Sequence, residues 1–355
     1  MYAVGDLIIT GISGTTLTDA EKRFIEEEKI AGVIIFSRNY ENPEQLAKLI
    51  NSIQALRSEW PLFIGVDHEG GRVFRFRQHF TQFPSMFSIT KHNSPKLCFE
   101  VHQVMAEELA ACGINLSFSP VCDLLTNKSN NVIGDRSFGD DPEEVSKYIS
   151  AAVRGLEANQ VISCAKHFPG HGDTESGEKG DSHFELPSVQ TEFATLMGRE
   201  MIPFKKAIKS RVEMMMMAHL MVPAIDESRP TTFSPRAYQL LREELKYHRI
   251  IISDDMEMKA VAKHYPEQEA PIMTINAGCD LLIYNHMEKA QIAVAALHEA
   301  LKTKKIKKDD FEDKQRRIVD CKKRNLSNYQ PIYIPDIAKK MNTPMAQELL
   351  QKLKS

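Results

Sequence analysis

Eight short apolar runs recur along the chain, and stretches with helical periodicity separate most of them. The runs are DLIITGIS near residue 6, GVIIFS near 32, LFIGVD near 62, INLSFSP near 114, VISCAKH near 161, VEMMMMAH near 212, RIIISDD near 249 and DLLIYN near 280. Strands that alternate with helices form βαβ units and a parallel sheet, and eight such units close into a barrel. The pattern therefore predicts an α/β fold of the (β/α)8 TIM-barrel type.

Helical spacing of apolar residues is found between the predicted strands. It is seen in four long stretches: 42–60, 96–113, 141–160 and 192–210. Asn42 precedes Pro43 and Asp141 precedes Pro142. These pairs are typical of helix starts, because a capping side chain is followed by a proline that fits the first turn. A long, turn-rich connection is predicted over 222–248, before a short helix.

The C-terminal part of the chain is basic. Residues 302–325, KTKKIKKDDFEDKQRRIVDCKKRN, predict a solvated helix that is capped by Asp309 or Asp310. From residue 326 onward, a proline-containing segment and a final helix are expected to pack outside the barrel. We therefore expect one catalytic barrel domain, 1–325, followed by an extension, 326–355.

Composition is that of an ordinary globular enzyme. The 355 residues are 42% hydrophobic and 26% charged, and the net charge of −3 provides no electrostatic attraction to nucleic acid or a membrane surface. Six scattered cysteines without CxxC spacing are expected to be buried free thiols. The N-terminus lacks a basic region and resembles a first strand, and no apolar run has a membrane-spanning length. These features predict a cytoplasmic monomer that acts on a small molecule.

Four of the predicted strands end in polar residues. The third is followed by Asp67, the fifth by Lys166 and His167, the sixth by His219 and the seventh by the Asp254–Asp255 pair. In a TIM barrel the catalytic groups gather at the C-terminal ends of the strands, so these side chains are expected to converge.

Asp67 precedes a pair of glycines and, in isolation, such an aspartate caps a turn. However, Arg72, Arg75 and Arg77 follow within a few residues. A carboxylate together with guanidinium groups in a concave site binds the hydroxyl groups of a polyol through charge-assisted hydrogen bonds. This grouping favours a sugar-binding role for Asp67.

Two further positions have a structural alternative. Arg136, in the glycine-containing loop IGDRSFGDDP, fits a binding site or an ion pair to Asp135 or Asp140 equally well. Asp254 is a candidate nucleophile, because a carboxylate fixed at the end of a buried strand is able to attack an electrophilic carbon. Asp255 fits better as the cap of the helix that follows.

The stretch from 166 to 183, KHFPGHGDTESGEKGDSH, admits three interpretations. It has enough donors for a metal but no tight ligand spacing; these donors are His167, His171, Asp173, Asp181 and His183. A purely structural role, with glycines in turns and histidines capping backbone groups, fits some of them, including His171. An acid/base role fits Asp181-x-His183, because the carboxylate orients the imidazole and raises its basicity.

Together these segments resemble a known family. KHFPGHGDT…DSH, GVDHEGGRVFRFR, GDRSFG, MMAHLMVPAIDESRPTTFS, ISDDMEM and AGCDLLIYN are similar to glycoside hydrolase family 3. Within that family the chain resembles the single-domain bacterial β-N-acetylglucosaminidases of cell-wall recycling. The resemblance extends from about Gly5 to Asn285.

The resemblance implies a retaining exo-hydrolase that removes terminal β-linked N-acetylglucosamine from muropeptides such as N-acetylglucosaminyl-1,6-anhydro-N-acetylmuramyl peptides. It implies that Asp254 is the nucleophile and that His183 is the acid/base, with Asp181 as its partner. It implies no metal and no cofactor. Sugar-binding roles fall on five matching positions: Asp67, Arg75, Arg136, Lys166 and His167.

Three alternatives stay open on sequence alone. A phosphorylase on the same scaffold is consistent with a histidine acid/base, because a histidine does not repel phosphate as a carboxylate does. A metal-dependent hydrolase would use the loop histidines, and a non-catalytic barrel would only bind sugar. Glycines at 170, 172, 177 and 180 predict that the loop carrying His183 moves.

Overall fold

Eight parallel strands form a closed barrel in the computed structural model, which describes residues 3–57, 59–175 and 178–354. Each strand pairs with its neighbours in sequence, and the last pairs with the first through Ile9 and Ile283. The predicted TIM barrel is therefore confirmed. The strands are β1 Ile8–Gly11, β2 Gly32–Ile35, β3 Phe63–Val66, β4 Leu116–Ser117, β5 Ile162–Phe168, β6 Met214–Met217, β7 Ile250–Asp255 and β8 Leu281–Tyr284.

The strands are continuous apolar runs because both of their faces are covered, one by the barrel interior and one by helices. All residues of β6, the sequence MMMM, are buried, and they pair in register with the start of β7 from Met214 opposite Ile250. One contiguous core of buried apolar side chains extends through the barrel and its helices.

Helices surround the barrel and connect its strands. They are α1 Asp19–Glu27, α2 Pro43–Ala55, α3 Met86–Thr90, α4 Pro95–Ala111, α5 Pro142–Glu157, α6 Phe193–Gly198, α7 Met201–Lys209, α8 Pro235–Gln239, α9 Lys259–Ala262, α10 Ala270–Ala277, α11 Met287–Lys302, α12 Lys308–Leu326 and α13 Pro344–Lys352. The predicted caps of α2 and α5 are present. Asn42 accepts a hydrogen bond from the Gln45 amide, and Asp141 accepts one from the Glu144 amide.

Two helix predictions are wrong in detail. The stretch 192–210 forms two helices, α6 and α7, because the ring of Pro203 is incompatible with a helix that continues through residue 199. Helix α12 begins two or three residues earlier than predicted, with Lys307 at the N-cap, so Asp309 and Asp310 lie in its first turn and do not cap it.

The basic helix α12 is only partly solvated. Its lysines include two buried ones, Lys314 and Lys322, and the Lys322 ammonium donates to the Ala31 carbonyl oxygen at 3.0 Å. The prediction of a fully solvated lysine face is therefore wrong at these positions. In the described ranges no helix is both long enough and apolar enough to cross a membrane.

Residues after α12 contact the outside of the barrel. The Asn51 side chain exchanges two hydrogen bonds with the backbone of Ile332, and the buried Glu108 carboxylate accepts the amide of Asn342. All six cysteines are buried free thiols, as the sequence predicts.

Candidate active site

A cavity of about 620 Å³ opens at the C-terminal ends of the barrel strands. The strand ends of β3, β5 and β7 and the loops after β4 and β5 contribute its polar walls. All eight site residues expected from the sequence line this one cavity: Asp67, Arg75, Arg136, Lys166, His167, Asp181, His183 and Asp254. The fold therefore brings together groups that are far apart in the chain.

A two-stranded hairpin, His68–Gly70 and Val73–Phe74, follows β3 and forms one wall. Gly71 turns the hairpin with a φ of +55°, and a Cβ atom there would lie 2.9 Å from the Ser85 Cα. Only glycine fits this turn. The turn places acidic and basic side chains of the sequence DHEGGRVFR in the cavity wall.

Four charged side chains form a chain of ion pairs on this wall. Asp67 accepts hydrogen bonds from Lys166 Nζ at 2.7 Å and from Arg75 Nη2 at 3.1 Å. Lys166 Nζ also lies 2.6 Å from Glu69, which is 2% exposed. The alternative that Asp67 caps the glycine turn is therefore wrong, because its carboxylate is used by two cations.

Burial alone would raise the pKa of both carboxyl groups, but the neighbouring cations outweigh it. Lys166 and Arg75 hold the pKa of Asp67 well below its usual range, and Arg136 and Lys166 lower the pKa of Glu69 to about 2. Burial would lower the pKa of Lys166, yet Asp67 and Glu69 raise it. The wall is thus fully ionised at neutral pH.

Glu69 is the partner of Arg136, and the sequence did not single it out. Arg136 Nε and Nη2 each donate to Glu69 at 2.8 Å, in a bidentate pair. The predicted alternative, an ion pair of Arg136 with Asp135 or Asp140, is wrong. Asp135 pairs with Arg72 instead. The sequence did contain a signal for Glu69, because it is a second carboxylate only two positions after Asp67.

Asp123 is a second residue that the sequence reading missed. It is fully buried after β4, and its carboxylate lies 2.6 Å from His167 Nδ1. It also accepts the backbone amides of His167 and His171. Asp123 therefore fixes the turn after β5 and orients the His167 ring toward the cavity. Asp123 lies three positions after the end of the fourth apolar run, INLSFSP. Inspection of the polar residues that follow each predicted strand could therefore have found it.

Both strand ends that carry the candidate chemistry are irregular. The pairing of β5 with β6 shifts register between Ala165 and Phe168, and that of β7 with β8 shifts between Ile252 and Asp255. Such bulges re-aim side chains near active sites. Here they allow Lys166, His167 and Asp254 to line the cavity.

The Asp254 carboxylate is 9% exposed and accepts the Asp255 amide at 2.8 Å. Burial would raise its pKa, but His167, His219, this amide and Lys166 lower it below its usual value. Asp254 is therefore an ionised carboxylate held in a fixed orientation.

His219 supports this strand end from β6. Its Nε2 donates to the Asp255 carbonyl oxygen at 2.9 Å, and its Nδ1 lies 2.6 Å from the Thr232 hydroxyl. Burial lowers the pKa of His219, and the nearby Asp254 carboxylate opposes this shift. Through its hydrogen bond to Asp255, His219 fixes the backbone next to Asp254.

Asp255 does not cap the next helix, and that prediction is wrong. Its carboxylate accepts the Glu257 amide at 3.0 Å, while the N-cap of α9 is Met258. The strand continues through Asp255, which leaves the side chain largely out of solvent. Burial raises its pKa to about 7.

In the loop after β5, His183 pairs with Asp181. The His183 Nδ1 atom lies 2.8 Å from an Asp181 carboxylate oxygen, which also accepts the His183 amide. The His183 side chain is 63% exposed, and its Nε2 atom takes no part in the pair with Asp181. The arrangement fits a histidine that exchanges protons with a ligand in the cavity.

The arm that carries this pair, residues 180–185, rests on the segment after β7. The Ser182 carbonyl oxygen accepts the Ala260 amide at 3.1 Å, and Glu185 pairs with Lys263 at 2.6 Å. His183 is thereby kept on the Asp254 side of the cavity. Positions 176 and 177, including one glycine of the predicted mobile loop, lie outside the described residues.

The cavity thus combines a fixed, ionised carboxylate, an exposed imidazole with its own carboxylate, and a wall of paired cations and anions. This set can supply a nucleophile, an acid/base and hydrogen bonds to several hydroxyl groups. Among the described residues, no group of three or more His, Cys, Asp and Glu side chains is arranged to hold a metal ion.

Comparisons with known proteins identify the family of the chain. The sequence model "Glycosyl hydrolase family 3 N terminal domain" matches residues 4–321. A β-hexosaminidase of Nitrosomonas eutropha is 37% identical over 298 residues, which are 82% of this chain and 84% of that protein.

Two solved structures share the fold over nearly the whole chain. A family 3 β-N-acetylglucosaminidase of Paenibacillus sp. FPU-7 has a TM-score of 0.91 and 33% identity, covering 99% of this chain and 67% of that one. NagZ of Neisseria gonorrhoeae, in complex with N-trifluoroacetyl-D-glucosamine, has a TM-score of 0.79 and 30% identity, covering 98% and 96%. The chain therefore belongs to glycosyl hydrolase family 3 and is a glycoside hydrolase.

Proposed function

We propose that the protein is a retaining exo-β-N-acetylglucosaminidase that removes terminal β-linked N-acetylglucosamine from cell-wall muropeptides, with GlcNAc-1,6-anhydroMurNAc-peptides as substrates. The observation that carries this proposal is the position of Asp254 and the Asp181–His183 pair in one cavity. The names of the similar proteins, β-hexosaminidase and β-N-acetylglucosaminidase, support the choice of sugar.

In the first step, an oxygen of Asp254 attacks the anomeric carbon, and the bond to the leaving oxygen breaks. The low pKa of Asp254 keeps this group ionised for the attack. His183, protonated and oriented by Asp181, gives its proton to the leaving oxygen, so that the aglycone departs as an alcohol. A covalent glycosyl ester on Asp254 is formed.

In the second step, neutral His183 takes a proton from water, and the oxygen of that water attacks the anomeric carbon. The ester bond breaks, which frees Asp254 and releases the sugar with its configuration retained. A positioned acid/base of this kind contributes about 10²- to 10⁴-fold in rate.

The wall of paired charges fits the sugar that is transferred. Asp67, Arg75, Arg136 and Lys166 present oriented donors and acceptors to its hydroxyl groups, and His167 lies beside Asp254, whose pKa it lowers. Because each cation already has an anionic partner, the wall is neutralised before substrate enters. It is therefore rigid and preorganised.

We assign the catalytic domain to residues 1–325 and a stabilising extension to 326–355. The six free cysteines support a reducing compartment, the cytoplasm. In that compartment the protein would act on cell-wall fragments that are being recycled.

Product analysis tests the proposal. Purified GlcNAc-1,6-anhydroMurNAc-peptide is incubated with the protein, with and without inorganic phosphate, and the released sugars are identified by mass spectrometry. Free N-acetylglucosamine, at a rate that phosphate does not change, is the expected result. Accumulation of the sugar 1-phosphate would show a phosphorylase instead, and loss of activity on chelation would show a metal-dependent hydrolase.

A further inference from the structure

The mouth of the cavity has an exposed aromatic ring next to the acid/base. We propose that Phe184 and Lys259 form the subsite for the leaving group, and that they select an aglycone sugar carrying an acidic substituent. The inference rests on the proposed function, because it takes His183 to be the residue that protonates the leaving oxygen.

Phe184 stands out among the exposed apolar side chains. In the described part of the chain, the large apolar residues with high exposure are Phe87, Phe184, Tyr333 and Met345. Of these four, Phe184 alone lines the cavity, and 40% of its surface is exposed. An exposed aromatic ring at the rim of a sugar site is a surface on which the C–H face of a pyranose packs.

The position of Phe184 in the chain assigns it to the leaving group. It directly follows His183, whose proton must reach the oxygen that joins the sugar to its aglycone. The transferred sugar is bound on the opposite wall by Asp67, Arg136 and their partners. A ring within one residue of His183 therefore faces the part of the substrate beyond the scissile bond.

Lys259 does not itself line the cavity, but it places a positive charge beside the Phe184 ring, which does. Its ammonium lies 5.0 Å from the centre of the Phe184 ring, within cation–π distance. Lys259 is exposed, and no carboxylate with a described side chain forms an ion pair with it. Nearby acids are already used, since Glu185 pairs with Lys263 and Glu257 with His286. The ammonium is thus available to a carboxylate on the ligand.

Three substrates separate the two contributions. N-acetylglucosaminyl β-fluoride has a leaving group of one atom and makes no aglycone contact. GlcNAc-β-1,4-GlcNAc has a neutral aglycone sugar, and GlcNAc-β-1,4-MurNAc has the same ring with a lactyl carboxylate. The measured quantities are ratios of kcat/KM between these substrates. Damage to the arm cancels in the acidic-to-neutral ratio, because both disaccharides need the same protonation by His183; for the disaccharide-to-fluoride ratio, Phe184→Tyr is the control, because it keeps an aromatic ring on the same arm.

Phe184→Ala is expected to lower the disaccharide-to-fluoride ratio about 3- to 10-fold, and Phe184→Tyr to retain it. Lys259→Met is expected to lower the acidic-to-neutral ratio about 2- to 5-fold and to remove its dependence on salt. Phe87 and Lys91 are the matched control, because they form the same ring–ammonium pair at 5.7 Å and do not line the cavity. Phe87→Ala and Lys91→Met should leave both ratios unchanged.

An unchanged disaccharide-to-fluoride ratio in Phe184→Ala, or an equal change in the control variants, would contradict the proposed subsite. Neither result would contradict the proposed hydrolase function. An acidic-to-neutral ratio that survives Lys259→Met would overturn the charge selection. If the wild type turns over neither the fluoride nor the disaccharides, the proposed function fails and the subsite fails with it.

Discussion

Glu69 holds two cations of the site in place without reaching solvent. It pairs with Arg136 through two hydrogen bonds and with Lys166 through a third contact, and all three side chains are buried or nearly so. A buried charge left without its partner is far more costly than a broken surface pair. The stability of the wall therefore depends on this one carboxylate.

Glu69→Gln is expected to lower the free energy of unfolding by about 3–5 kcal/mol, because the buried Arg136 then lacks its counter-charge and Lys166 keeps only Asp67. Chemical denaturation measures the change, and kcat/KM should fall as well. Asp135→Asn removes an exposed ion pair to Arg72 and should cost less than about 1 kcal/mol. Equal losses in the two variants would show that Glu69 has no special role.

Asp255 makes the free energy of unfolding depend on pH. Burial raises its pKa to about 7 in the folded protein, whereas an unfolded aspartate releases its proton near pH 4. Between about pH 4 and pH 7, Asp255 is protonated in the folded protein and ionised in the unfolded chain. The contribution of Asp255 to stability is therefore complete below about pH 4 and is lost as the pH rises to about 7.

Asp255→Asn removes this dependence. The melting temperature of the variant minus that of the wild type should therefore rise between pH 5 and pH 8. Asp140→Asn, which removes an exposed carboxylate outside the cavity, is the control. A difference that stays constant for Asp255→Asn would show that Asp255 does not titrate between these pH values in the folded protein and would contradict its raised pKa.

Sequence reasoning placed eight side chains in the cavity but missed two that organise it. The polar residue that ends a strand is visible locally, which is why Asp67, Lys166 and Asp254 were found. Glu69 and its partner Arg136 are 67 positions apart, and Asp123 and His167 are 44 apart. Such pairings depend on how the barrel closes, and spacing along the chain does not reveal them.

In the proposed mechanism, the arm, residues 180–185, carries the acid/base pair. Its contacts with the rest of the chain include Ser182–Ala260 and Glu185–Lys263, both with the segment after β7, and Thr174–Gly180. The His183 side chain itself is 63% exposed, and exposed segments open at low free-energy cost. The arm can therefore bring His183 to the substrate and release the product afterwards.

His183→Ala is expected to lower kcat/KM for a disaccharide about 10²- to 10⁴-fold and to have a smaller effect on a 4-nitrophenyl glycoside, whose leaving group needs little protonation. The control is His286→Ala. His286 pairs with Glu257 at 2.7 Å and is equally exposed, but it does not line the cavity. A uniform loss with both substrates would contradict an acid/base role.

Elements were predictable where the signal is local. All eight strands and the caps of α2 and α5 follow from apolar runs and from a capping side chain before a proline. The break between α6 and α7 was missed although Pro203 marks it, because the apolar periodicity continues across the break. The start of α12 was wrong by two or three positions, because the cap is Lys307 and the two aspartates lie in the first turn.

At the level of the whole molecule, the barrel carries the site. The extension, 326–355, contacts the outer helices of the barrel. Buried apolar side chains of the extension include Ile337, Ala346 and Leu349. Glu108 in α4 loses the Asn342 amide if the extension is removed. Among the residues that the structure describes, those that line the cavity all precede residue 326.

A chain ending at residue 327 is therefore expected to keep measurable turnover and to melt about 5–10 °C lower than the full chain. Differential scanning calorimetry and kcat on the same samples test this. The point variant Leu349→Ala in the full chain should produce a smaller shift of the same sign. Complete loss of the folded state on truncation would show that 1–325 is not an independent domain.

The most direct test of the mechanism is to trap the glycosyl enzyme with a 5-fluoro N-acetylglucosaminyl inactivator and to locate the label by tandem mass spectrometry. We predict a single label on the carboxylate of Asp254, and no label in Asp254→Asn. Labelling of the neighbouring Asp255, or turnover of the inactivator with no covalent adduct, would contradict the assignment of Asp254 as the nucleophile.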